Sequence, residues 1–146
     1  MDYGFVGDID AINVDLLKNL LEKNITPAFA PITHDQQGQL LNTNADTIAQ
    51  ELAKGMSNDY EVTLIYLFEK NGVLSDVNDE DSVIKKITPP YYQELKEQEK
   101  IFAGMIPKLD NAFAALQSGV KKVVIGKAES LASLVDGSSG TMISNE

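Results

Sequence analysis

The chain has no cysteine, no arginine and a single histidine, His34. Without cysteine there can be no disulfide, no thiolate metal site and no thiol nucleophile, and one histidine cannot build a histidine cluster. A reducing compartment fits that composition. All 12 basic residues are lysines, so the chain lacks the planar, two-pronged guanidinium that grips carboxylates and phosphates. Positive charge is also scarce overall. The 12 lysines stand against 22 acidic residues, giving a net charge of -10, which repels a nucleic-acid backbone and argues against such a partner. Nowhere do about 18 uncharged apolar residues follow one another, and Met1–Gly7 is not a basic region leading into an apolar run. The reading is a cytoplasmic protein with no membrane span.

What is present is enough for one core: 146 residues with 43% hydrophobic content match a single domain. Leu16, Leu17, Leu20 and Leu21 recur at helical spacing between Val14 and Glu22, with Asn13 as the cap. The segment from Thr26 to Ile32 reads as a buried strand, and His34 to Gly38 as the turn of a hairpin returning through Gln39–Asn42. A helix follows from Asn44 to Lys54, closed by Gly55. The apolar run Val62–Phe68 has the pattern of a central strand covered on both faces. Pro89 and Pro90 open a helix through Glu99, and Pro107 another to about Ser118, with Leu109, Phe113, Ala114 and Leu116 on its buried side. Lys121–Ile125 reads as a strand, Glu129–Val135 as a short helix and Thr141–Ser144 as a closing strand. Such alternation predicts an α/β fold, a three-layer αβα sandwich with a mainly parallel sheet plus the β-hairpin.

Three local patterns could carry chemistry, and each has a plain structural explanation beside it. Gly38 to Asp46 joins a strand end to a helix start, where open α/β sheets collect ligands and helix amides point outward. Ordinary capping also accounts for Asn44 and for Asp46 in the first turn, but not for Asn42. Lys108 lies in the first turn of the helix begun by Pro107, where a cation opposes the dipole by roughly 0.3 to 1 kcal/mol unless an anion shares the site. That conflict points to a phosphate, with a solvated lysine as the alternative. The turn Glu69-Lys70-Asn71-Gly72-Val73-Leu74 follows a buried strand and lets backbone approach a nucleotide, or is simply an Asn-Gly turn. His34 falls in the hairpin turn and receives no function. The acidic stretch Asp76–Asp81 lacks calcium-loop spacing and reads as a solvated loop.

Taken in order, four segments resemble the acetylglutamate kinase branch of the amino-acid kinase family along essentially the whole chain. They are Gly4-Phe5-Val6-Gly7, Gly38 through Asp46, Gly104-Met105-Ile106-Pro107-Lys108, and Gly140-Thr141-Met142-Ile143. The resemblance implies a carbamate kinase-like fold and phosphoryl transfer from ATP, bound with Mg2+, to the side-chain carboxylate of an N-acylglutamate in arginine biosynthesis. It implies that Asn42 and Asn44 contact the acylated amino acid, that Asp46 orients lysines around the phosphates, and that Lys108 stabilises the transferring phosphoryl group. Glu69 to Leu74, Lys100, Ile101, Phe102 and Gly104 correspond to nucleotide-lining segments.

Some positions depart from the family pattern. Phe68, Glu69 and Lys70 stand where the family usually has Thr or Ser, then Asp, then Val, and Ala103 where glycine or aspartate is common. The resemblance further implies that an N-terminal half, bearing a glycine-rich phosphate loop, a lysine and a substrate-holding arginine, is missing from this chain. The intact enzyme is expected to be a homo-oligomer and the isolated chain inactive. Two other readings compete: a non-catalytic kinase-like binding module, and another member such as a glutamate 5-kinase or aspartokinase.

Overall fold

The structure, a computed structural model, describes residues 3–146; Met1 and Asp2, part of the leader reading, lie outside the described residues. Its elements in order are α1 (Val14–Glu22), β1 (Ile32–His34), β2 (Leu40–Asn42), α2 (Ala45–Met56), β3 (Thr63–Phe68), β4 (Lys86–Ile87), α3 (Pro89–Glu97), α4 (Ile106–Gln117), β5 (Lys122–Lys127), α5 (Leu131–Asp136) and β6 (Thr141–Ile143). A 3-10 turn, Ala103–Met105, leads into α4. No helix among the described residues is long and apolar enough to cross a membrane.

The main sheet runs β3-β5-β6-β4. β3 pairs with β5 in parallel, β4 with β6 in parallel, and β5 with β6 antiparallel, so the sheet is mainly parallel as expected. β1 and β2 form the separate antiparallel hairpin, Ile32 opposite Asn42 and His34 opposite Leu40.

Alternation along β5 shows how the layers form. Val123 and Ile125 face the larger core with Leu64, Leu109, Phe113 and Ile143. Val124 and Gly126 face the other way, toward Gly140 and Leu134 of α5, and a Cβ at Gly126 would sit 2.4 Å from the Leu134 side chain. Glycine at this point lets α5 close on the sheet, while α2 and α4 pack together on the opposite side.

Several expectations need correction. Thr26–Pro31 is an exposed loop, and the strand begins only at Ile32. Pro27 and Pro31 have no N–H to give a ladder, and apart from the half-buried Pro27 the segment is exposed. β3 is an edge strand with Thr63 and Leu67 exposed; the strand buried on both faces is β5. α2 continues through Gly55 to Met56, because Gly55 packs against Ile12 and Val14. On α4 the buried small residues are Ala112 and Ala115 rather than Ala114. The two-residue β4 is too short for any periodicity to announce it.

Candidate functional site

Three local devices set the site at the ends of β2 and β3. Asn44 caps α2 by accepting the Thr47 amide at 3.1 Å, which leaves Asp46 in the first turn, favourable to the dipole. Pro107 fixes the start of α4 and so sets Lys108 within its first turn. The third device holds Asn42. Its N–H donates to the Phe5 carbonyl at 2.8 Å, and its carbonyl accepts the Gly7 amide at 3.0 Å, so the chain from Gly4 to Gly7 runs alongside β2. A Cβ at Gly7 would lie 2.7 Å from both Leu41 and Thr33, which explains why the first two sequence motifs occur together. Beneath them the buried Thr43 hydroxyl pairs with Thr33 at 2.7 Å, leaving Asn42 and Asn44 exposed.

The starts of α2 and α4 converge. Lys108 Nζ donates to Asp46 Oδ2 at 2.5 Å, with both side chains partly buried. The electrostatic conflict read at Lys108 is therefore met within the chain: Asp46 is the anion. An ammonium carries three donors, so pairing with Asp46 leaves two for incoming oxygens. Below the pair lies Tyr66 of β3, with Lys108 Nζ 5.7 Å from its ring centroid. Tyr66 is 4% exposed, and burial, then the Asp46 charge, push its hydroxyl up to about 12. Nothing in the apolar run Val62–Phe68 signals this tyrosine as anything but core.

A cleft of about 650 Å³ opens between the segment after β3 and the segment before α4; its lining includes Met105, in the turn leading into the helix of Lys108, but neither Lys108 nor Asp46. Glu69, Lys70, Gly72, Val73 and Leu74 line one side; Lys100, Ile101 and Phe102 line the other. Two stretches about 30 residues apart thus share one cavity, floored by Phe68 and Met105, with the exposed Phe102 at its rim. Asn71 and Gly104 stand outside the lining: the Asn71 amide donates to the Glu80 carbonyl at 3.4 Å, and Gly104 abuts the Phe102 ring. Lys70 pairs with Glu80 at 2.8 Å and holds its carboxyl below the ordinary range. Thr141 joins the last strand to this wall. Its buried hydroxyl accepts the Val73 amide at 2.8 Å, and a Cβ at Gly72 would fall 2.6 Å from the same oxygen. In the sequence Thr141 belongs to the closing strand and the fourth motif and Met105 to the third motif, and neither is marked as lining a site.

The arrangement can do two things: an apolar slot with lysines at its edge can take a flat base, and an ammonium aimed by a carboxylate can meet phosphoryl oxygens. His34 does neither; its Nδ1 accepts the Gln36 amide within the hairpin turn.

Comparison with known proteins identifies the family of the chain. The chain is 52% identical over 143 residues to an acetylglutamate kinase from Phocaeicola vulgatus, covering 98% of this chain and 54% of that one. It therefore spans about half the length of the curated relatives it matches. Among solved structures, smu.665 from Streptococcus mutans UA159 superimposes with a TM-score of 0.76 at 32% identity, covering 99% of this chain and 53% of that one. A carbamate kinase from Giardia lamblia bound to AMP-PNP gives a TM-score of 0.68 over 94% of this chain and 51% of that one; at 17% identity it supports the fold alone. The sequence pattern of the amino acid kinase family matches residues 1–127. The chain belongs to the amino acid kinase family.

Proposed function

We propose that this chain is the nucleotide-binding, C-terminal half of a cytoplasmic kinase that transfers the γ-phosphoryl group of ATP to the side-chain carboxylate of N-acetylglutamate, or another N-acylglutamate, in arginine biosynthesis. The observation that carries the reading is the meeting of Lys108 and Asp46 at two helix starts, with an apolar cleft lined in part by Met105, in the turn that leads into the Lys108 helix. The identity to acetylglutamate kinases supports it, and so does their length, nearly twice this chain's. The remaining half of the site, including a cation for the substrate carboxylate, belongs on that additional length, because this chain has no arginine. The intact enzyme is a homo-oligomer in this proposal.

In the reaction a carboxylate oxygen of the substrate attacks the γ-phosphorus, the bond from phosphorus to the bridging oxygen breaks, and ADP leaves with that electron pair. Such transfer depends on position and on cations set against the equatorial oxygens. Lys108 supplies one such cation, and Asp46 fixes its direction. Phe68, Val73, Ile101 and Met105 give the base an apolar bed, with Phe102 and the turn Glu69–Leu74 at its margins. Asn42 and Asn44 face the acylated amino acid. No group of three His, Cys, Asp or Glu side chains among the described residues could hold a metal, and Asp46 is already engaged by Lys108. In this proposal Mg2+ arrives bound to the nucleotide, where it would neutralise phosphate charge.

A coupled ADP-release assay of the full-length gene product with N-acetylglutamate and N-succinylglutamate tests the reading. Turnover with either is expected; turnover with free glutamate or aspartate instead, or with none of the four, overturns it.

A further inference from the structure

The Tyr66 hydroxyl is the buried side-chain polar atom that finds no hydrogen-bond partner among the described residues. Buried hydroxyls are nearly always satisfied, and phenylalanine would fill the same space without stranding a donor. The oxygen therefore needs a reason. Its surroundings supply one: the ring lies under Lys108 Nζ, and the charge of Asp46 acts on the hydroxyl. At neutral pH the group is a neutral donor, and the ammonium that lies over its ring is the one that holds Asp46 through Oδ2. A carboxylate can accept several hydrogen bonds, so Asp46 has room for another donor.

Resting on the proposed function, we infer that Tyr66 is a positioning residue: its hydroxyl takes over Asp46 when Lys108 turns from that carboxylate to a phosphoryl oxygen. Lys108 cannot serve both acceptors at full strength in the transition state. A replacement donor leaves Asp46 satisfied in a partly buried place and lowers the cost of releasing the ammonium. In the resting chain the hydroxyl is idle, which destabilises the fold slightly. During transfer it is used.

A paired effect distinguishes this role from simple packing. In the full-length gene product Tyr66→Phe is expected to raise Tm by about 2 to 4 °C, by removing an unsatisfied donor. The same change is expected to lower kcat about tenfold, with KM for ATP nearly unchanged. In a Lys108→Met background Asp46 is already released, so Tyr66→Phe should now lower Tm. Equal Tm shifts in the two backgrounds overturn the inference, as does an unchanged kcat in Tyr66→Phe. Should Lys108→Met fail to fold, the kinetic split decides alone. Should the wild type show no turnover, the proposed function fails separately, and the Tm comparison, which needs no turnover, still decides Tyr66.

Discussion

Lys108 and Asp46 stand 62 residues apart in sequence and 2.5 Å apart in space, and each sits in the first turn of its own helix. Asp46 complements its dipole and Lys108 opposes its own, so the carboxylate is what makes the lysine's place tolerable. Preorganised charge of this kind acts mainly on the transition state. Replacing Asp46 with Asn should therefore lower kcat about 100-fold, and Lys108→Ala at least as much, while KM for ATP changes less than about fivefold. Steady-state ADP release by the full-length protein measures both; a change confined to KM would remove these residues from the transfer step.

The cleft wall rests on Thr141. Changing Thr141 to Val leaves the Val73 amide without its acceptor and should cost about 1–3 kcal/mol. Adding a methyl at Gly72, aimed at the same hydroxyl and at Val83, should cost a similar amount by overpacking. Urea denaturation checks both, and the Gly72→Ala protein should also bind MgATP more weakly because its turn is displaced.

Phe102 is 65% exposed at the rim of the cleft. An exposed ring beside an apolar slot gains burial when a base enters. Truncation to Ala should weaken MgATP binding about fivefold, roughly 1 kcal/mol, with no loss of Tm. Calorimetry on the full-length protein reads the affinity, and an unchanged value would move the base away from this ring.

The Lys70–Glu80 pair gives a pH signature. Its hydrogen bond and charge hold the Glu80 carboxyl below the ordinary 4.5. A depressed carboxyl contributes stability that is complete above its unfolded value and fades as pH falls through the folded one. Wild type should thus exceed Glu80→Gln slightly in Tm at pH 7, and the gap should close below about pH 4. The pair is exposed, so 0.5 M salt should shrink the gap at pH 7 as well. A gap that persists in acid would assign the effect to another contact of Glu80.

The helices were legible because their signals are local: Asn13 and Asn44 accept the amides their caps require, and Pro89 and Pro107 open helices. At the site the first-turn conflict at Lys108 points to a phosphate, whereas the anion within reach in the structure is Asp46, which local sequence could not pair with a lysine 62 residues away. Strand environment was harder to read. Val62–Phe68 and Lys122–Lys127 both look apolar, and only the pairing order makes β3 the edge and β5 the strand enclosed on both faces. Pro27 and Pro31 warned against a strand before Ile32, but the apolar residues between them outweighed that warning. Tyr66 could not be singled out at all, because an unsatisfied hydroxyl is defined by what fails to surround it.

The edge position of β3 has a consequence for handling the protein. Thr63–Phe68 bonds to β5 on one side only, so its outer row of amides and carbonyls, with Leu67 half exposed, is an open template for any extended chain. Within the intact polypeptide that template can be capped by a strand from elsewhere in the chain. Prepared alone, this segment will be prone to recruit copies of itself, and charged substitutions at Leu67 are the place to blunt that tendency.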